Sequence, residues 1–236
     1  MKFIKVDTYE ELSELATEIV VGQVKLNPNS VLGLATGSTP IGLYNNLVEK
    51  NKKGELDFSK VKTINLDEYV GLNAENNQSY RYFMNYHLFN KININIVNTF
   101  VPNGVASNME QEAKEYDQKI ESLGGIDLQI LGIGIDGHIG FNEPDNCFTK
   151  ETHVVLLDES TIEANSRFFE SKKDVPTSAI TMGMGSIMGA KKILLIANGK
   201  NKKEILEKAL FGKITPLVPA SILQLHKDLT VIYSDE

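Results

Sequence analysis

Short apolar runs rich in β-branched residues alternate along the chain with longer amphipathic stretches, and this alternation is the strongest constraint on the fold. Such an order is typical of βα units on a mostly parallel sheet. We therefore predict a single α/β domain over residues 1–236, with an open Rossmann-like sheet and helices on both faces. The predicted strands cover residues 3–6, 31–35, 61–66, 98–101, 128–133, 153–157, 193–197 and 229–233, and predicted helices cover residues 9–26 and 201–210.

Composition excludes several classes of protein. The formal net charge of −7 argues against nucleic-acid binding, which needs Lys and Arg gathered on one face. The single cysteine, Cys147, excludes an internal disulfide and favours a reducing compartment, so we expect a cytoplasmic protein. The N-terminus lacks the apolar core of a signal peptide, and no stretch approaches the ~20 apolar residues of a membrane span. Residues 145–174 are irregular in composition and form a candidate lid.

The first candidate site is LGLATGSTP, residues 32–40, where an apolar strand runs into Gly37, Ser38 and Thr39. Pro40 suits the opening of a helix, so free backbone N–H groups point outward at the positive end of a helix dipole. An anion, above all a phosphate, suits that position. Alternatively, Ser38 or Thr39 is only an N-cap, and the local sequence does not decide between the two. A GK[ST] ending is missing, which disfavours a nucleoside triphosphate.

The second candidate is TINLDEYVGL, residues 63–72, where an apolar strand runs into the paired carboxylates Asp67 and Glu68. In open α/β sheets, ligands bind at the carboxyl ends of the strands, so Asp67 is a candidate general base. An isolated acidic pair is more often a solvated turn. Here the loop at 36–39 ends a neighbouring predicted strand in the same sense, and this favours a functional role.

The third candidate is LGIGIDGHIGFNEP, residues 131–144, whose glycines spell GxGxxG and are followed at a distance by Asp158. This is the spacing of a dinucleotide-binding fingerprint. That fingerprint needs a long helix after its last glycine, whereas HIGFNEPDNCF contains glycine, proline and asparagines that disfavour one. We therefore disfavour a nicotinamide dehydrogenase.

The same turn carries Asp136, His138 and Glu143 after a strand of nearly continuous apolar residues. Aspartate can orient an imidazole, and histidine exchanges protons near neutral pH, so the turn predicts a proton relay. A metal centre is the competing interpretation. We expect no metal, because no second histidine lies at ligand spacing. The other histidines are predicted to be structural or on the surface: His87, His153 and His226.

Taken together, these motifs resemble the glucosamine-6-phosphate deaminase family over nearly the whole chain. The resemblance rests on LGLATGSTP, NLDEYVGL, GIGIDGHIGFNEP, ANSRFF at 164–169 and LQLH at 223–226, in one order. It implies a cofactor-free α/β enzyme that converts glucosamine 6-phosphate and water to fructose 6-phosphate and ammonia. It also implies three sets of residues: Asp67 moves a proton between sugar C2 and C1, Asp136, His138 and Glu143 open the ring, and Gly37, Ser38, Thr39, Arg167 and Lys202 hold the phosphate.

The chain departs from the allosteric branch of that family, whose members have a longer C-terminus and a basic activator pocket. Here ETHVVLL follows FNEP after a short interval, and the chain ends soon after its last predicted strand. We therefore expect simple saturation kinetics without activation by N-acetylglucosamine 6-phosphate, and a monomer, with an oligomer left open. Two alternatives remain: a 6-phosphogluconolactonase, which needs no C2 base, and a sugar-phosphate-sensing regulator, which would bring a basic helix-turn-helix segment.

Overall fold

The computed structural model describes residues 1–157 and 175–236. Seven of its strands form one sheet in which every neighbouring pair is parallel. These strands are β1 (Lys2–Val6), β2 (Val31–Leu34), β3 (Lys62–Asn65), β5 (Thr99–Phe100), β6 (Leu128–Leu131), β9 (Ile193–Asn198) and β10 (Leu229–Ser234). Their spatial order is β1–β10–β9–β6–β2–β3–β5, which confirms the predicted parallel sheet.

Helices cover both faces of this sheet, as predicted. They are α1 (Tyr9–Leu26), α2 (Ile41–Lys52), α3 (Tyr80–His87), α4 (Met109–Ser122), α5 (Met184–Met188) and α6 (Lys203–Phe211). Buried side chains of α1 and α2, such as Leu12 and Tyr44, pack in one core, while Ile120 of α4 and Leu206 of α6 pack in the other. The periodic apolar stripe of 9–26 forms α1 with the predicted bounds, because Thr8 caps its first turn and its apolar face is buried.

A second, three-stranded antiparallel sheet was not predicted. It has the order β4 (Asp67–Tyr69), β8 (Ser178–Thr181) and β7 (His153–Leu156). The predicted strand 61–66 therefore ends at Asn65, and the chain changes sheets at Leu66, whose carbonyl accepts a hydrogen bond from Met182 N at 2.7 Å. Assigning 153–157 to the parallel sheet was wrong, because strand periodicity shows which residues are extended but not which strand they pair with.

The direction in which the chain adds strands changes beside β2. From β2 it proceeds outward to β3 and β5, and it then returns to place β6 on the other side of β2. In parallel α/β sheets, a crevice opens at such a reversal, above the carboxyl ends of the strands. The loops after β2, β3, β6 and β9 consequently share one edge of the molecule.

Three sequence predictions fall partly or wholly outside the described residues. The candidate lid at 145–174 is described only as far as residue 157, and Asp158 and Arg167 lie outside the described ranges.

The predicted helix 201–210 begins with a 3-10 turn, Lys200–Lys202, and continues as α6. None of the helices in the described ranges combines the length and apolar character needed to cross a membrane.

Candidate functional site

Four neighbouring strands of the large sheet, β9, β6, β2 and β3, carry the predicted site residues in the loops at their carboxyl ends. The 36–39 loop follows β2, Asp67 follows β3, the 132–143 turn follows β6, and Lys202 follows β9. Sequence positions more than 160 residues apart are therefore brought to one edge of the sheet. The structure thus assembles every predicted site residue that it describes.

The 36–39 loop connects β2 to the start of α2, and its conformation is fixed by Gly37 and by Tyr9. Gly37 has a φ of 96°, a left-handed conformation that favours glycine. The Tyr9 hydroxyl accepts a hydrogen bond from Gly42 N at 2.8 Å and donates to Thr39 O at 3.0 Å, so α1 fixes both the loop and the helix start. The N-cap alternative for Ser38 or Thr39 was wrong, because the N-cap residue is Pro40 and makes no side-chain capping bond. Ile41 N donates to Ser38 O at 3.2 Å and Gly42 N donates to Tyr9, so the N–H groups available to an anion are those of the 36–39 loop rather than the first ones of α2.

Two residues at or just after the end of β9 contact the neighbouring loops. The Thr39 hydroxyl donates to Asn198 Oδ1 at 2.8 Å. Lys202 Nζ donates to the carbonyl of Ile133 at 2.8 Å, which places its ammonium group beside the 132–143 turn. Burial lowers the pKa of Lys202, and the nearby Asp136 carboxylate opposes that effect. Asn198 was not predicted from the sequence, since an asparagine after an apolar strand is equally typical of a turn.

Asp136 and His138 form a close pair on the 132–143 turn. Asp136 Oδ1 lies 2.7 Å from His138 Nδ1 and accepts a second hydrogen bond from His138 N at 3.1 Å. Burial raises the pKa of Asp136, but the hydrogen bonds and charge of His138 outweigh it and hold that pKa below its usual value. Gly134 is required here, because a Cβ on it would lie 2.3 Å from His138 Cε1. The ring is thereby oriented with Nε2 away from the aspartate, as a proton relay needs.

Glu143 completes the predicted group. One donor atom each of Asp136, His138 and Glu143 lie within 4.8 Å of one another, and all three residues are half-buried. The same three donors suit either a divalent cation or a proton relay. That no metal is needed stays a prediction. In the described stretch that follows the glycines, residues 138–157, an isolated bridge joins Ile139 and Asn142 and no helix forms, so the geometry lacks the helix of a dinucleotide fingerprint.

Asp67 lies on β4, opposite this turn. A Cβ on Gly140 would lie 3.4 Å from Asp67 Oδ2 and 3.0 Å from Thr181 Oγ1, so the turn passes close to the carboxylate. The side chain is only 6% exposed, and within the described residues it makes no hydrogen bond. Burial, and then the charge of Glu68, raise the pKa of Asp67 to about 8. A carboxylate with a raised pKa is a stronger base than an exposed one, and an approaching cation favours its ionised form.

Thr181 and Asn142 connect the 132–143 turn to β8, and no sequence motif pointed to Thr181. Phe141 N donates to Thr181 Oγ1 at 3.0 Å, and Thr181 is the residue paired with Asp67 across β4 and β8. The Asn142 amide donates to Ile139 O at 3.0 Å and to Met182 O at 2.9 Å. The position of Asn142 inside the FNEP motif was the available signal, whereas Thr181 lies in an ordinary apolar segment.

The remaining histidines of the sequence have structural surroundings. His226 is buried, with Nε2 at 2.9 Å from Ala190 O. The His87 ring packs 4.3 Å from that of Phe83. His153 Nδ1 lies 2.9 Å from Glu151 O. These contacts agree with the predicted structural or surface roles.

Comparison with known proteins gives a consistent result. Residues 5–232 match the family model described as glucosamine-6-phosphate isomerases/6-phosphogluconolactonase. A glucosamine-6-phosphate deaminase of Lachnoclostridium phytofermentans is 63% identical over 232 residues, 98% of each chain, and one of a Thermoanaerobacter species is 57% identical over 236 residues, covering 100% of this chain and 93% of the relative.

Solved structures agree with the sequence relatives. A monomeric glucosamine-6-phosphate deaminase superposes with a TM-score of 0.97 at 46% identity, covering 99% of this chain and 97% of that one. A 6-phosphogluconolactonase of Thermotoga maritima superposes with a TM-score of 0.80 at 19% identity, covering 100% of this chain and 99% of that one, which shows a shared fold alone. With its motifs, fold and full-length relatives in agreement, the chain belongs to the glucosamine-6-phosphate isomerase/6-phosphogluconolactonase family.

Proposed function

We propose that this protein converts glucosamine 6-phosphate and water to fructose 6-phosphate and ammonia. The observation that carries the proposal is the convergence of Asp67 with the Asp136–His138 pair at one edge of the sheet, beside the 36–39 loop that leads into α2. Full-length relatives that bear the name of this activity support it. The proposed mechanism uses no cofactor and no metal.

The phosphate end of the substrate fixes the position of the reacting carbons. We assign it to Gly37, Ser38 and Thr39 at the start of α2 and to Lys202, with Arg167 added on the resemblance alone. Backbone N–H groups and a lysine ammonium suit a dianion. Because this end of the sugar does not react, its binding energy is available to orient C1 and C2 near the catalytic groups.

Ring opening precedes the isomerisation, because a closed pyranose has no carbonyl to acidify the C2 hydrogen. His138, oriented by Asp136, takes the proton of the anomeric hydroxyl and returns one to the ring oxygen, while Glu143 supports the imidazolium. The C1–O5 bond breaks, and an aldehyde forms at C1. The close Asp136–His138 pair on the 132–143 turn suits this exchange, because the imidazole can both accept and donate a proton.

Proton transfer then converts the aldehyde at C1 into an alcohol and the amine-bearing carbon C2 into an iminium. Asp67 takes the C2 proton and a proton passes from the C2 ammonium group to O1, which gives a neutral enolamine. Asp67 then delivers its proton to C1, which leaves an iminium at C2. Water adds to C2 and ammonia departs, giving the ketose. The substrate ammonium group at C2 approaches a buried carboxyl whose pKa is about 8, and this positive charge favours the ionised base in the complex.

An ammonia-coupled assay of the purified protein tests the proposal. We expect glucosamine 6-phosphate to release ammonia with a hyperbolic rate curve and 6-phosphogluconolactone not to be hydrolysed. Lactone hydrolysis without ammonia release would replace the proposal by the lactonase alternative. A sigmoidal curve that N-acetylglucosamine 6-phosphate makes hyperbolic would contradict the expected absence of activation.

Two variants separate the proposed steps. Asp67→Asn should still bind the sugar phosphate but lose exchange of the C2 hydrogen with solvent, because the amide is not a base. His138→Gln should slow the closed-ring substrate more than an open-chain analogue. His87→Gln, on α3, is the matched control and should keep wild-type rates. Equal losses on closed and open substrates in His138→Gln would remove the ring-opening role.

A further inference from the structure

Glu68 follows Asp67 on β4 and has no part in the mechanism above. Successive side chains of a strand point to opposite faces, so Glu68 points away from the 132–143 turn. Its carboxylate is 2% exposed and accepts three backbone hydrogen bonds: from Tyr69 N at 2.8 Å, from Tyr80 N at 2.9 Å and from Arg81 N at 2.9 Å. Two of these donors are the first N–H groups of α3.

These contacts distinguish Glu68 from its neighbour Asp67. Burial holds the pKa of Glu68 above its usual value, while the three N–H donors and the nearby Arg81 guanidinium favour the charged form and limit that rise. The position at a helix N-terminus acts in the same direction. Asp67 has no such donors among the described residues. Because Glu68 has three donors and Asp67 has none within the described ranges, the geometry favours ionisation of Glu68 before that of Asp67.

We propose that Glu68 is a positioning residue for the reaction: its carboxylate, fixed by three backbone amides, holds a permanent negative charge directly behind Asp67 and ties β4 to α3. This inference rests on the proposed function, in which Asp67 is the base. The fixed charge keeps the Asp67 proton in place until the substrate ammonium arrives, and it attracts that cation.

Through the contacts of α3, Glu68 also supports the 132–143 turn on the other side of the site. Tyr80 is the first residue of α3, and its ring stacks on that of Phe141 with centroids 5.9 Å apart and planes 9° from parallel. Phe141 lies two residues before Glu143. The Glu68 carboxylate therefore anchors the helix start that supports the 132–143 turn.

Other charged and titratable groups near Asp67 must be accounted for in any dependence on pH. Arg81 of α3 faces Glu68 and partly offsets its charge. Three phenols interact electrostatically with Asp67: Tyr69, Tyr80 and Tyr116. Burial raises their pKa values, so they are neutral over the pH range of the assay. Within the described residues these groups are Glu68 and Tyr69 on β4, Tyr80 and Arg81 on α3, Tyr116 on α4, His153 in register on β7, and Asp136, His138 and Glu143 on the turn.

The pH dependence of kcat/KM for ammonia release tests the charge. The acid limb of this profile is the pH range in which kcat/KM falls as Asp67 gains its proton. In Glu68→Gln this limb should move to lower pH by roughly one unit, because the like charge beside Asp67 is gone. Glu68→Asp keeps the charge, so its limb should stay near the wild-type position although the hydrogen bonds weaken. Glu115→Gln, on the exposed face of α4, is the matched control and should change neither. A uniform loss at every pH in Glu68→Gln, with an unmoved limb, would overturn the proposal.

A second measurement needs neither Glu68→Gln nor activity. Carboxyl ¹³C shifts of wild-type protein, assigned with Asp67→Asn and Glu68→Asp, report each ionisation directly. We expect Glu68 to be ionised at every pH at which Asp67 titrates. Glu68 protonating together with Asp67, or above it, would overturn the proposal. Because this readout is independent of turnover, a protein that releases no ammonia would contradict the proposed function and leave the Glu68 result intact.

Discussion

Replacing Thr181 by valine removes one hydrogen-bond acceptor from the centre of the molecule and changes the side-chain volume very little. Thr181 is fully buried, and its Oγ1 accepts the hydrogen bond of Phe141 N at 3.0 Å. Valine has the same branched shape, so no large cavity forms. The change therefore isolates the hydrogen bond that joins β8 to the 132–143 turn.

The magnitude follows from leaving a backbone donor unpaired. A buried N–H without a partner costs about 1–3 kcal/mol in the free energy of unfolding. For a chain of this size, each 1 kcal/mol lowers the melting temperature by about 2–4 °C, so we expect a decrease of about 2–12 °C. We also expect kcat to fall more than KM rises, because Phe141 lies two residues before Glu143 while the 36–39 loop is untouched.

Thr63→Val is the matched control for this prediction. Thr63 is 1% exposed on β3, and its Oγ1 makes no hydrogen bond to any residue in the described ranges. Losing that hydroxyl should leave the melting temperature unchanged or raise it, since an unpaired buried hydroxyl is itself unfavourable. Thr181→Ser keeps the acceptor and should retain most activity.

Thermal unfolding and steady-state ammonia release, measured on all three variants, decide the matter. Equal melting temperatures for Thr181→Val and Thr63→Val would refute the reasoning. So would an unchanged kcat in Thr181→Val, because the turn would then hold its geometry without this bond.

Three further predictions concern other parts of the site. Gly134→Ala should abolish turnover, because its Cβ would displace the His138 ring, whereas Gly132→Ala, with nothing within 4 Å of its Cβ, should be tolerated; equal activity of the two in the ammonia assay would contradict this. The fold raises the pKa of Asp67 from 3.8 to about 8, so the folded chain holds a proton that the unfolded chain has released, and the free energy of unfolding falls as pH rises through that window. Asp67→Asn should therefore melt above wild type near pH 8 and lose that advantage near pH 4, and parallel melting curves at both pH values would argue against it. Tyr9→Phe should raise KM several-fold with little change in kcat, because the lost hydroxyl fixes the 36–39 loop to the start of α2; substrate titrations that match wild type would show that the loop does not depend on it.

Local patterns were sufficient wherever a single element determines the outcome. The spacing of Leu12, Ala16 and Val20 predicts α1 because an amphipathic stripe must be buried whatever it packs against. The glycines around Asp136 and His138 predict a tight turn, since only a residue without a side chain fits beside the imidazole. The same patterns did not separate β3 from β4, because both are extended and their difference lies in the partner strand.

The amino-acid sequence alone determined the alternation of strands and helices, the parallel sheet and the chemical types available in each loop, because these depend on periodicity and on neighbours a few residues away. Tertiary structure decided which strands adjoin, and hence that Thr181 pairs with Asp67, that Lys202 reaches the turn at Ile133, and that three amides of β4 and α3 meet at Glu68. Such contacts join residues far apart in the chain. Their burial, which sets the pKa of Asp67, exists only after the two sheets and the helices have packed.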